Sequence, residues 1–234
     1  MFFVVKRLDV IYNLIGSGKG VADIGTDHGE IPIRLALSDY PGTIFASDIH
    51  PQPLETARRR AAEAGVEDRI RFSCSDGLDD CEADSVNTIV IAGLGGDTVC
   101  SILDRAEWTM SDEVSLILQP MTKAEVLRYW LTCNGYCIEK ELIVAENKSL
   151  FRILLARFGN RNTFLTDAEL FLGQRELADC EHTYILYMEK EINRLRKKIR
   201  GMDQSSAGDP ETVFFRNILQ EMETLHHDCL QERI

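Results

Sequence analysis

The stretch GVADIGTDHGEIPIRLAL, from Gly20 to Leu37, constrains this chain more than any other. GVADI reads as a buried strand, a turn holding Gly25 and Gly29 follows, and an amphipathic helical pattern begins at Glu30. A strand that passes through a glycine turn into a helix opens the nucleotide-binding α/β folds. Yet Asp27 and His28 stand where a dinucleotide fingerprint would place another glycine.

The unit repeats. TIFASD is a strand, followed by the helix PLETARRRAAEAG, which Gly65 closes. IRFSCSD and VNTIVIAG are strands, GDTVCSILDRA a helix, VSLILQP a strand and KAEVLRYWLTCNG a helix. YCIEKELIVAEN and SLFRILLARF then follow one another with no helix between, which predicts an antiparallel hairpin at the sheet edge. Strand–helix alternation predicts a parallel sheet covered on both faces, a Rossmann-like α/β domain over residues 1–159. Residues 160–234 predict helices only. Ile185, Met188, Ile192, Leu195, Ile199 and Met202 recur at spacings of three and four, as do Phe215, Ile218, Met222, Leu225 and Cys229. Two such seams joined by the polar turn DQSSAGDP predict a coiled-coil hairpin.

Composition narrows the function classes. Hydrophobic residues are 44% and charged residues 27% of 234, ordinary for a soluble globular protein. No apolar run reaches membrane-spanning length, and MFFVVKRLDVIYNLI is too interrupted by charge for a secretory signal, so a cytosolic protein with no membrane contact is expected. Seven cysteines, odd in number and scattered, do not form a disulfide framework. Cys74, Cys100 and Cys137 read as small hydrophobes in apolar surroundings. Cys133 and Cys137 flank an Asn134–Gly135 turn with no second pair nearby, and the adjacent His226 and His227 point apart on a helix, so no metal site is expected. A net charge of −12 argues against a surface coated in nucleic acid, but leaves room for a local basic strip.

The acidic residues carry the chemistry. Asp23 ends the first strand with Gly25 just beyond it, Asp48 ends the second, and Asp76 with Gly77 ends the third. Carboxylates at successive strand ends on one sheet edge suit a nucleoside, Asp48 toward ribose hydroxyls and Asp76 toward the adenine amine. A pyrophosphate would be repelled by Asp23 and Asp27, whereas the sulfonium and amino-acid groups of S-adenosylmethionine would be attracted. The turn therefore favours a methyltransferase over an NAD-dependent oxidoreductase, and the terminal strand hairpin is the other mark of that class.

VADIGTDHG, IFASDIHPQPLETAR, CSDGL, NTIVIAGLGG and LILQP together resemble the TrmK family, bacterial tRNA (adenine-N1)-methyltransferases acting on adenosine 22. The resemblance covers roughly residues 6–158. It implies a class I methyltransferase domain, S-adenosylmethionine as donor, and a C-terminal coiled coil that helps hold tRNA. It further implies that Asp23, Gly25 and Thr26 form the cofactor turn, Asp48 and Ile49 the ribose and adenine edge, and Asp76 and Gly77 the adenine corner. Asp27 matches the acidic residue facing the methyl group, and Gly93 begins the segment where amino-methylating relatives grip their target nitrogen. Two positions depart from the family pattern: Glu30 stands where an aromatic is frequent, and Met121 ends a segment that usually reads QPN.

Adenine N1 needs no deprotonation, so catalysis is chiefly alignment plus stabilisation of the positive charge that develops on the ring. N1 lies on the pairing edge, so the base must be unpaired or flipped. Asp27 suits both the exocyclic amine and the developing charge, or else caps the following helix; His28 orients Asp27, bonds cofactor, or simply packs. Arg194, Arg196, Lys197, Lys198 and Arg200 in RLRKKIR form a candidate phosphate-binding strip, with Arg58, Arg59 and Arg60 a weaker one. The alternatives are a methyltransferase for a small molecule or protein whose hairpin serves dimerisation, and a binding module that has lost its chemistry. The seam leaves monomer and homodimer open.

Overall fold

Strand β1 (Gly20–Ile24) is buried at every position and lies inside the sheet between two parallel neighbours, which is why its residues are almost wholly small or apolar. In the computed structural model, which describes residues 6–159, 164–178, 180–205 and 209–231, seven strands form one sheet in the order β3-β2-β1-β4-β5-β7-β6. The others are β2 (Thr43–Ser47), β3 (Arg71–Ser73), β4 (Thr88–Gly95), β5 (Ser115–Thr122), β6 (Tyr136–Glu146) and β7 (Ser149–Phe158). The first five run parallel. β7 enters antiparallel between β5 and β6, so the hairpin expected at the sheet edge is present.

The chain reverses its winding between β1 and β4, leaving a crevice at the carboxyl ends of those strands, where open α/β sheets bind ligands. Helices α2 (Glu30–Leu37) and α3 (Pro51–Glu63) pack on one face, with α1 (Arg7–Leu14), a helix the sequence patterns did not single out. Helices α4 (Gly96–Arg105) and α5 (Ala124–Cys133) pack on the other. The parallel strands are apolar toward both faces because both are covered: Ile89 and Ile91 enter one core, Val90 the other.

Beyond the sheet come α6 (Asp167–Leu172), α7 (Glu181–Ser205) and α8 (Pro210–Gln231). A hydroxyl cap from Thr166 and a returning Glu169 carboxylate start α6. Ile185, Met188, Ile192, Leu195 and Ile199 are buried against Ile218 and Met222, so the seam closes within one chain. The C-terminal end of that seam differs from expectation: Leu225 faces water, and His226 takes the inward position, its imidazole 3.6 Å from Glu189. Spacing from Met222 to Cys229 allows either residue; the Glu189 carboxylate lies beyond hydrogen-bond reach, and the buried His226 Nε2 has no hydrogen-bond partner among the described residues. α7 also runs into the stretch expected to turn; the centre of DQSSAGDP, like the boundary expected near residue 160, lies outside the described residues.

Helices α6 and α7 seat on β6, and Ile143 of β6 belongs to their core. A buried ion network seals that junction. Arg128 of α5 grips Glu141 of β6 with two bonds of 2.9 and 3.0 Å and donates to the Leu170 carbonyl of α6. Arg152 of β7 lies 3.2 Å from the same carboxylate, donates to the Leu172 carbonyl, and stacks 3.7 Å from the Tyr187 ring of α7.

Candidate functional site

The crevice opens into a cavity of about 550 Å³ at the carboxyl ends of β1, β2 and β4. Its floor is the turn after β1. Gly25 and Gly29 both take left-handed backbone (φ 70 and 71), and a Cβ on Gly29 would lie 2.9 Å from Ala57 Cβ. Only glycine reaches this conformation without steric cost. Asp27 takes it too, at φ 50, which costs of order 1–2 kcal/mol for a side-chain-bearing residue. Asp27 does not cap α2: Gly29 holds that position and no side chain caps it. The strain instead leaves the Asp27 carboxylate exposed at the cavity, 3.6 Å from His28 Nε2.

Two further carboxylates lie beneath it. Asp23 is buried; the Thr26 hydroxyl donates to its Oδ2 at 2.7 Å, and no basic side chain pairs with it among the described residues. Burial, with the Asp48 carboxylate nearby, outweighs that bond and pushes Asp23 up to about 6 from an ordinary 3.8. Asp48 is pinned by two backbone donors, Asp27 N–H at 3.2 Å and His50 N–H at 2.9 Å. These occupy one lone pair on each oxygen and leave the others for a ligand. Ile49, beside it, is 57% exposed and gives the rim an apolar face.

On the third side, Ser75 Oγ is buried without a hydrogen-bond partner among the described residues. Asp76 also lines the cavity, but one of its oxygens is held by Arg105 at 2.9 Å, so only the other is free for a ligand. Gly77 turns at φ 66 against Ile102 of α4. Gly93 (φ 85) interrupts the β4–β5 pairing as a bulge and borders the cavity with Leu94. Among the described residues no cluster of three or more His, Cys, Asp or Glu is gathered that could hold a metal, and no helix is long and apolar enough to cross a membrane.

Sequence reasoning missed Arg7 and named Arg60 only as part of a candidate phosphate strip. Arg7 of α1 lines the cavity and donates to Gln119 Oε1 at 2.6 Å; Gln119, at the end of β5, is fully buried. Arg60 reaches the rim and donates to the His28 carbonyl at 2.7 Å, while Arg58 and Arg59 turn to Phe72 and Glu63. Both contacts join residues far apart in the chain, which leaves no local signal.

The five basic residues of RLRKKIR do not form one strip. Arg194 is held between Glu125 and Glu191, and Arg196 crosses the hairpin to Glu223. Lys198 lies over the Phe215 ring. Lys197 and Arg200 are exposed and have no ion-pair partner among the described residues. Cys74 is exposed, not in the apolar setting expected of it; its sulfur approaches the Ile49 carbonyl at 3.9 Å on the cavity side.

Comparison with known proteins agrees with this geometry. A family model described as a methyltransferase domain matches residues 4–154, more than half of the chain. A tRNA (adenine(22)-N(1))-methyltransferase of Bacillus subtilis is 30% identical over 168 residues, 72% of this chain and 71% of that protein. The crystal structure of the B. subtilis M1A22 tRNA methyltransferase TrmK superposes with a TM-score of 0.74 at 25% identity, covering 97% of both chains. M. capricolum TrmK, solved with S-adenosylhomocysteine, gives 0.78 at 24% identity over 96% of this chain and 98% of that one.

Proposed function

We propose a reaction from the premise that this chain belongs to the methyltransferase-domain family and, within it, to the tRNA (adenine(22)-N(1))-methyltransferases: it transfers a methyl group from S-adenosylmethionine to N1 of adenosine 22 in tRNA. The observation that carries the reading is the acidic corner at the first turn. Asp23 and Asp48 are buried near one another with no Lys or Arg paired to either among the described residues, which fits a positively charged ligand and opposes a pyrophosphate.

The residues present fit that cofactor. Ser75 Oγ is a buried polar atom that lacks a partner among the described residues, and the free lone pairs of Asp48 suit ribose hydroxyls. Ile49 offers an apolar face and the open oxygen of Asp76 an acceptor for the adenine, with Gly77 keeping that corner narrow. Gly25 and Thr26 shape the turn around the Asp23 carboxylate, which suits the ammonium of the amino-acid portion. When bound, S-adenosylmethionine supplies an electrophilic methyl on a sulfonium, which the N1 lone pair accepts without a general base.

The chain's own residues then have three tasks. Asp27, strained toward the cavity, accepts a hydrogen bond from the exocyclic amine and opposes the positive charge that grows on the adenine ring. His28 steadies that carboxylate from 3.6 Å, and Arg60 fixes the His28 backbone. Gly93 and Leu94, bulged out of the β4 ladder, bound the space for the flipped base, with the Arg7 guanidinium beside Gly93.

Mass mapping of nucleosides after incubation with unmodified bulk tRNA tests the activity: 1-methyladenosine at position 22 is expected, and its absence overturns the reading. Asp27→Asn tests the mechanism. It should keep S-adenosylhomocysteine affinity and lower turnover about tenfold or more, the scale of about 1.4 kcal/mol of transition-state stabilisation. Unchanged turnover removes Asp27 from the reaction.

A further inference from the structure

Between α5, α7 and α8 lies a second cavity of about 460 Å³ that the methyl-transfer chemistry does not use. Its wall is aromatic. Tyr129 of α5 and Phe214 of α8 are 59% and 48% exposed, and Phe215 stands edge-on to Phe214 with centroids 5.6 Å apart. Exposed large apolar groups gathered in one concavity mark a binding surface.

A polar cleft of about 180 Å³ lies between this cavity and the methyl-transfer pocket: Met121 lines both pocket and cleft, while Lys123 and Arg194 line both cleft and aromatic cavity. Along this path α7 presents Lys190, Arg194 and Lys198. Residues four apart share a helix face and rise about 6 Å per step, so the three cations form a row. Arg194 is neutralised by its carboxylate partners. Lys190 donates to the Leu150 carbonyl at 2.9 Å and Lys198 rests 3.4 Å from the Phe215 centroid, and neither has a carboxylate at ion-pair distance among the described residues. A groove that combines such cations with stacking faces is how proteins follow an unpaired nucleic-acid strand.

We propose that this track holds RNA flanking the target adenosine, with one unpaired base stacked on the Tyr129 and Phe214 platform. The inference rests on the tRNA reading above and gives it a contact surface remote from the transferred methyl. Stacking accepts every base, so the platform supplies grip and not the choice of nucleotide.

The test uses the full chain and an unmodified tRNA transcript, with filter binding across a salt series, steady-state kinetics and calorimetry of S-adenosylhomocysteine. Tyr129→Ala with Phe214→Ala should raise the tRNA Kd and KM by roughly 5- to 100-fold. Cofactor-product affinity and kcat at saturating tRNA should stay unchanged, and Tyr129→Phe should behave as wild type. Lys190→Gln with Lys198→Gln should flatten the slope of log affinity against log salt by about two. Variants that bind tRNA within twofold of wild type, with an unaltered slope, overturn the proposal. So does a wild-type dimer that the aromatic changes dissociate without loss of tRNA affinity, because the face then belongs to a second copy. A wild type that binds tRNA through this track but leaves adenosine 22 unmethylated sinks the functional reading and keeps the track.

Discussion

Two of the buried charged clusters in this molecule are built in opposite ways. At the junction of sheet and helices, the Glu141 carboxylate meets two guanidiniums within 3.2 Å. At the crevice, Asp23 and Asp48 lie near one another; neutral donors bond both, and no Lys or Arg pairs with either among the described residues, the exposed His50 imidazole alone standing 3.4 Å from Asp48. In the first set every buried charge has an opposite neighbour, although Arg152 Nε and Nη1 make no hydrogen bond among the described residues. The second is complete only when something positive arrives. The cost of that incompleteness falls on Asp23, whose carboxyl is held up to about 6. A paired cluster joins parts of the fold; an unpaired one of a single sign identifies where a cation belongs.

The largest expected effect breaks the paired set. Glu141→Gln removes the charge that two buried guanidiniums share, and should destabilise the protein by about 3–5 kcal/mol. For a chain of this size that is a fall of roughly 10 °C in Tm by calorimetry. A fall under 2 °C would mean that the junction does not depend on the ion network.

The next sharpens the other side. Asp23 has a higher pKa folded than unfolded, so the folded state holds a proton that the unfolded state releases as pH rises from about 4 to about 6. Stability falls over that window, by about 3 kcal/mol at roughly 1.4 kcal/mol per unit. Asp23→Asn should therefore gain up to about 3 kcal/mol above pH 6 and nothing below pH 4, read from urea unfolding at both ends. It should also bind cofactor more weakly. A variant less stable than wild type at pH 8 would show that Asp23 is not the strained partner. The smallest effect belongs to an exposed pair: Arg196→Ala, which frees Glu223, should cost less than about 1 kcal/mol in the same assay.

The sequence carried the sheet and the acidic corner because both are written locally. GVADI and TIFASD announce strands by their apolar runs, and Asp23 and Asp48 follow from where those runs stop. The charged junction was not legible, since Arg128, Glu141 and Arg152 come from three elements and each alone reads as a surface residue. Arg7 and Gln119 escaped for the same reason, being 112 positions apart. The α7 cations were legible as charges but not as a surface. RLRKKIR is contiguous in sequence, while a helix sends neighbours to different faces. Arg194 and Arg196 are thus spent on Glu125 and Glu223, and Lys190, outside the run, joins the row facing the cleft.

Calorimetric titration of S-adenosylmethionine between pH 5 and pH 8, on wild type and Asp23→Asn, tests the acidic corner most directly. If a cation completes that corner, binding must expel the Asp23 proton below about pH 6. Affinity should then rise toward tenfold per pH unit over that range, with proton release seen as a dependence on buffer ionisation enthalpy, and Asp23→Asn should flatten both. Equal affinity from pH 5 to pH 8 in wild type, with no proton released, would contradict it.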